Sequence, residues 1–319
     1  TSVHVGRDGR AYVYTDRDAP RGKLVVTDPS NPAVESWQPL LPEDPEAVLE
    51  DFAILDAKEL ARPILLAAWT RHAVSEITVH DLRTGQKTGD VALPGIGSVG
   101  GLSERPEGGC ECWFGYTDHT TPSSVFRYDA RTGETTPWAS APGTVEVPKV
   151  YTRQVTYTSR DGTAVRMIVV SPTAEADEPR PAILNGYGGF GASMTPGYSA
   201  TILAWVEAGG VYAVANLRGG GEEGENWHRA GMRGNKQHVF DDFHAAADWL
   251  VEHGWTTSSK LGISGGSNGG LLVGAALTQS PQRYAAVVCS APLLDMVRYQ
   301  RFGLGQLWSE EYGDAEIAE

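Results

Sequence analysis

The chain has 319 residues, 41% hydrophobic and 21% charged, which excludes a disordered chain and suits two globular domains. Its net charge of −14 excludes a nucleic-acid partner, since phosphate binding needs clustered Lys and Arg. No apolar run reaches the roughly 18 residues of a membrane span, and the 38 Gly and 19 Pro have no short period, so they read as turn chemistry rather than a fibrous tract.

Up to about residue 145 the apolar runs are short and broken by Gly, Pro, Asp and Asn, a pattern of strands without a helical period. One unit recurs: an aromatic-rich strand, a polar turn, a second strand and a closing aspartate. Strands are expected at 11–16 and 24–28, at 65–70 and 77–81, and at 112–118 and 125–129. The closing residues Asp28, Asp81 and Asp129 recur about every 50 positions, the length of a four-stranded propeller blade. Arg83-Thr84-Gly85 and Arg131-Thr132-Gly133 repeat one turn. About three blades fit, fewer than a closed ring needs. With no initiator Met and no signal pattern at Thr1, the chain is expected to begin inside a longer protein. A small β-sandwich is the alternative. Cys110, Cys112 and Cys289 cannot all pair, which points to a reducing, cytoplasmic setting, and Cys110-x-Cys112 has no second half of a metal site.

From about residue 150 strands and helices alternate. Strands at 153–158 and 165–170 flank Arg160-Asp161-Gly162 as a hairpin. Further strands are predicted at 181–186, 210–217, 261–264 and 286–290, and helices at 200–208, 239–252 and 268–279. In the 239–252 helix Phe240, Phe243, Ala247, Leu250 and Val251 share a face and Gly254 supplies the stop. Asp241 and Asp242 are placed in its first turn, where a structural role at the positive end of the helix dipole is expected.

Gly265-Gly266-Ser267-Asn268-Gly269-Gly270 lies between a strand and a helix and matches G-x-S-x-G, the nucleophile elbow. The turn presents Ser267 at the C-terminal edge of the sheet, and the helix that follows directs free N–H groups, Asn268's first, at a developing oxyanion. Gly186-Tyr187-Gly188-Gly189-Phe190-Gly191 satisfies G-x-G-x-x-G literally. A dinucleotide turn, however, opens directly into a helix, and here Thr195-Pro196-Gly197 intervenes, with no acid closing the next strand. In a hydrolase sheet this loop supplies the second oxyanion donor, from the Tyr187 hydroxyl or a backbone N–H.

Tyr187-Gly188-Gly189-Phe190, Asn216-Leu217-Arg218-Gly219-Gly220-Gly221-Glu222, Asn235-Lys236-Gln237 with Phe240-Asp241-Asp242-Phe243, and the Ser267 elbow together resemble the prolyl oligopeptidase family of serine peptidases. The likeness continues through Leu293-Leu294-Asp295-Met296 to Trp308 and Glu311-Tyr312-Gly313. The resemblance implies an α/β hydrolase, a mainly parallel doubly wound sheet incomplete at its C-terminal side, over 149–319, preceded by part of an all-β propeller over 1–148. It implies Ser267 as nucleophile, Tyr187 and the Asn268 N–H as oxyanion donors, and Phe190, Leu293, Trp308 and Tyr312 as the pocket for proline. It also implies short proline-containing peptides as substrates, no cofactor or metal, and a monomer when complete. An apolar wall with a flat indole suits a pyrrolidine ring, whereas an Arg or Lys pocket needs a buried carboxylate.

One departure bears on activity. All eight histidines, the last His253, precede Ser267, although the order in such hydrolases is Ser, Asp, His. Asp295 and Asp314 are the aspartates that follow Ser267, and neither is assigned to a triad. The chain alone is therefore expected to be inactive. His228 and His238 read as structural or substrate-adjacent. An esterase or basic-residue oligopeptidase of the same fold, or a non-catalytic pseudoenzyme, are the alternatives, and the intact elbow favours the peptidase.

Overall fold

The computed structural model describes residues 1–143 and 146–317 and divides into two compact units. The first comprises Thr1–Val145 with Thr195–Tyr198 and Glu223–Glu225, and the second comprises the remainder. The last two positions of the expected hydrolase domain, 318 and 319, lie outside the described residues.

In the first unit, three antiparallel meanders of four strands follow one another. They are β1 (Ser2–Val5), β2 (Ala11–Thr15), β3 (Lys23–Thr27) and β4 (Gln38–Leu41); β5 (Ala47–Leu55), β6 (Ile64–Arg71), β7 (Val74–Asp81) and β8 (Lys87–Asp90); and β9 (Ser98–Glu104), β10 (Glu111–Thr117), β11 (Ser124–Asp129) and β12 (Glu134–Ser140). Strand β6 shows why its run is apolar throughout. Leu65, Ala67 and Trp69 enter one core with Tyr12, Leu24 and Leu49, while Leu66 and Ala68 enter another with Ile77, Phe114 and Tyr116. A strand whose alternate side chains both meet a neighbouring sheet has no face left for polar residues. These are blades of a β-propeller, three of them among the described residues, as the repeat predicts. The repeated turn also has a cause: Asp81 Oδ1 accepts from the amides of Arg83 and Thr84, and Asp129 Oδ1 from that of Arg131.

In the second unit, β13 (Tyr151–Thr158) and β14 (Ala164–Ser171) form the predicted hairpin. They are followed by β15 (Ala182–Gly186), α1 (Ala200–Glu207), β16 (Val211–Asn216), α2 (Glu225–Arg229), α3 (Lys236–Glu252), β17 (Leu261–Gly266), α4 (Asn268–Gln279), β18 (Ala286–Ser290) and α5 (Ser309–Tyr312). The sheet order is β13-β14-β16-β15-β17-β18, with β16, β15, β17 and β18 parallel. Val165, Met167 and Val169 of β14 pack with Phe243 and Leu250 of α3 and Leu272 of α4, whereas Ile168 and Val170 pack with Val206 of α1. Helices thus cover both faces, the doubly wound α/β-hydrolase arrangement. After β15 the chain turns one way to β16 and the other way to β17. The C-terminal ends of β15 and β17 are therefore the topological switch point, where open α/β sheets hold ligands.

Helix α3 corrects one expectation. It begins at Lys236, not at 239, so Asp241 and Asp242 occupy its second turn rather than its first. Asp242 is wholly buried, and its carboxylate receives Arg218 Nη2 at 2.6 Å and Nε at 3.0 Å. Ion pairing, not the helix dipole, is its structural role. The far end agrees with expectation: Gly254 at φ +74 closes the helix, its N–H reaching Val251 O while Trp255 N–H reaches Leu250 O. Among the described residues no helix is long and apolar enough to cross a membrane.

Candidate functional site

Ser267 sits between the last residue of β17 and the first of α4, is exposed, and has φ +56 and ψ −119. A non-glycine residue at such angles is strained by about 1–3 kcal/mol and persists only where its surroundings enforce it. Those surroundings are visible. The Ser267 N–H donates to Ser290 O on β18, and the amides of Gly270 and Leu271 donate to Ser267 O. The tightness of the turn falls on Gly265, where a Cβ would lie 2.1 Å from the carbonyl oxygen of Gly269. Gly265→Ala is accordingly expected to push α4 away from β17 and destabilise the protein by about 1–3 kcal/mol. Labelling of Ser267 by a fluorophosphonate, alongside a thermal melt, checks this; wild-type labelling and stability would contradict it.

Asn268 is 2% exposed, and its amide group clips two segments together. Nδ2 donates to Tyr187 O at 2.6 Å, and Oδ1 accepts from the Tyr312 hydroxyl at 2.8 Å. Burial and the neighbouring Glu311 charge raise the Tyr312 phenol above its ordinary value, which keeps the donated proton in place. The Phe190 and Tyr299 rings each stand edge-on to Tyr312 at 5.6 Å. Tyr187 follows Gly186 at the end of β15, beside the end of β17, with Asn185 and Ser264 in register. The fold therefore brings Ser267, Asn268, Tyr187, Phe190 and Tyr312 to one edge of the sheet.

Leu293 and Trp308 are half-buried on the segment after β18. Among the described residues neither makes a hydrogen bond or ring contact with that cluster. His228 Nε2 lies 2.7 Å from Glu311 Oε2, and His238 Nδ1 lies 2.9 Å from Ala230 O. Two features escaped sequence reasoning. The Asn268 side chain joins positions 81 and 44 residues away in sequence, and the Glu311 side chain, next to Tyr312 in sequence, lies buried. Periodicity carries no signal for either. That Lys236 and Glu311 stood inside the quoted motifs was the available hint.

Two family models match the chain: one described as the prolyl oligopeptidase N-terminal beta-propeller domain, over residues 2–141, and one described as the prolyl oligopeptidase family, over residues 196–319. A prolyl endopeptidase of Elizabethkingia meningoseptica is 34% identical over 307 residues, covering 96% of this chain and 42% of that protein. Prolyl oligopeptidase A of Amanita bisporigera is 35% identical over 323 residues, covering 98% and 41%. A solved structure from a study of two prolyl endopeptidases superposes with TM-score 0.91 at 44% identity, over 99% of this chain and 46% of that one. Prolyl oligopeptidase B of Galerina marginata, bound to a 25mer macrocyclization substrate, gives 0.90 at 29% identity, over 100% and 44%. The chain thus spans less than half the length of these relatives.

Proposed function

The chain belongs to the prolyl oligopeptidase family, and from that premise we propose that it serves a serine endopeptidase cutting short peptides on the carboxyl side of proline. The observation that carries this is the strained, exposed Ser267 at the switch point, beside an Asn268 amide that its own side chain holds against the Tyr187 loop. Ser267 Oγ attacks the carbonyl after proline. The Asn268 N–H and the Tyr187 hydroxyl receive the tetrahedral oxyanion. A histidine–acid pair carried by the same full-length protein takes the hydroxyl proton and returns it to the leaving amine. We assign no such pair within these 319 residues: the histidines of the second unit are engaged elsewhere, His228 with Glu311, His238 with Ala230 O, His244 with Tyr284 and His253 with Trp249 O. The chain taken alone is accordingly expected not to turn over.

Proline specificity rests on the apolar wall of Phe190 and Tyr312, and the family resemblance adds Leu293 and Trp308 to that pocket. A basic-residue peptidase needs a free buried carboxylate there. Glu311 is buried beside these rings, but Lys236 Nζ at 3.4 Å and His228 Nε2 at 2.7 Å already engage its two oxygens. The proposed partners are proline-containing peptides, and the proposed state is a cytoplasmic monomer without nucleic acid, cofactor or metal. Chromogenic peptides ending in Pro, in Arg and in Lys, offered to the full-length protein, test the reading. Cleavage after proline with Trp308→Ala raising KM is the expected result; preference for Arg or Lys, or for simple esters, would overturn it.

A further inference from the structure

The turn from Tyr187 to Gly191 carries both a proposed oxyanion donor and a pocket wall, yet Phe190 holds φ +57, a conformation that its Cβ disfavours. Something must fix it. Two contacts converge on the turn, from Glu311 and Lys236, and a third, from His228, braces Glu311. The Phe190 backbone N–H faces the Glu311 carboxylate and helps hold it below its ordinary value. Lys236 Nζ donates to Gly188 O at 2.8 Å while reaching Glu311 Oε1 at 3.4 Å and standing 5.4 Å from the centre of the Tyr312 ring. His228 Nε2 meets Glu311 Oε2 at 2.7 Å.

The Glu311 side chain is only 4% exposed, that of Lys236 14% and that of His228 19%, so these polar groups are spent inside the protein rather than on solvent. Burial raises the Glu311 carboxyl, but the His228 hydrogen bond, the Phe190 N–H and the Lys236 charge outweigh it and keep the group ionised. Burial pushes the Lys236 ammonium below its ordinary range against the pull of Glu311. Such a cluster is costly unless each hydrogen-bonding position is filled, and here one position is filled by the backbone of the site itself.

Resting on the peptidase reading above, we infer that Glu311 is a positioning residue for acyl transfer at Ser267: with Lys236 it fixes the 187–191 turn, and through that turn the Tyr187 oxyanion donor. A carboxylate accepts at two oxygens, whereas glutamine offers one acceptor and turns an N–H group toward a cationic donor. Glu311→Gln therefore has to release the Phe190 N–H, the Lys236 ammonium or His228. Loss of one oxyanion donor lowers kcat by about 10²–10³-fold, and a misplaced turn loses the donor as surely as its deletion does.

The test is a double-mutant cycle on the acylation rate of the full-length protein, measured in single turnover on a proline substrate. Glu311→Gln and Tyr187→Phe are each expected to slow acylation about 10²-fold, and the double variant little more than either alone, because both remove one donor. A purely structural role gives effects that multiply, and that result, or an unchanged rate in Glu311→Gln, overturns the inference. If Glu311→Gln does not fold, Lys236→Met, which removes the donor to Gly188 O, carries the same cycle with the same two outcomes. Retained acylation in Ser267→Ala would instead sink the peptidase reading itself, so the two failures are told apart.

Discussion

Ser267→Ala in the full-length protein is expected to lower kcat on proline peptides by about 10⁶-fold, the loss typical of deleting a nucleophile whose hydroxyl acts together with its base. Stability is expected to stay close to wild type. Ser267 stands at the N-cap position of α4 without a side-chain cap bond, so removing Oγ forfeits no hydrogen bond of the helix. The backbone remains at φ +56 through the Ser290, Gly270 and Leu271 contacts, which alanine leaves in place. The substitution thereby separates chemistry from folding. A fluorophosphonate titration should fall to zero while the melting curve stays put, and residual proline cleavage of roughly 10% or more of wild type, far above what loss of a nucleophile permits, would remove Ser267 from the mechanism.

Much of this site was legible beforehand, for physical reasons. The elbow needs glycine where another backbone passes, and the clash of a Cβ at Gly265 with Gly269 O is the geometric counterpart of that sequence rule. The blades were legible because β6 is buried on both faces and because β7 and β11 are closed by the same aspartate turn. The sequence pattern places the start of α3 three residues late because its first turn, Lys236 to Val239, opens on polar residues, where apolar periodicity has nothing to detect. The partners of Asp242, Glu311 and Asn268 were illegible for a different cause. Each joins residues far apart in the chain, and a charged or amide side chain looks the same in sequence whether it meets water or a buried partner.

Asp242→Ala is expected to destabilise the second unit by about 3–5 kcal/mol, the loss seen when one partner of a buried ion pair is removed. The Arg218 side chain is 5% exposed and that of Asp242 0%, so alanine strands a guanidinium beside Asp161, whose side chain is 41% exposed. The Arg218 backbone N–H and the Ser159 hydroxyl lose their acceptor as well. Asp161→Asn provides the contrast: it keeps the buried pair and removes a solvent-screened one, for a loss of about 1 kcal/mol or less. That smaller effect also has a pH signature. The Arg218 hydrogen bond, only partly offset by burial, holds the Asp161 carboxyl well below the usual carboxylate range. A depressed folded value means the stabilisation is complete above the unfolded value of about 3.9 and disappears as pH falls through the folded one. The difference between wild type and Asp161→Asn should therefore be full at neutral pH and shrink on acidification below that point. Urea unfolding at pH 7 and pH 3 measures both. A deficit for Asp242→Ala below 1 kcal/mol, a level ordinary for exposed pairs, would show that Arg218 finds another partner. The consequence would reach the proposed site, because Gly191 N–H donates to Gly219 O at 3.0 Å and ties the 187–191 turn to the segment that Arg218 anchors.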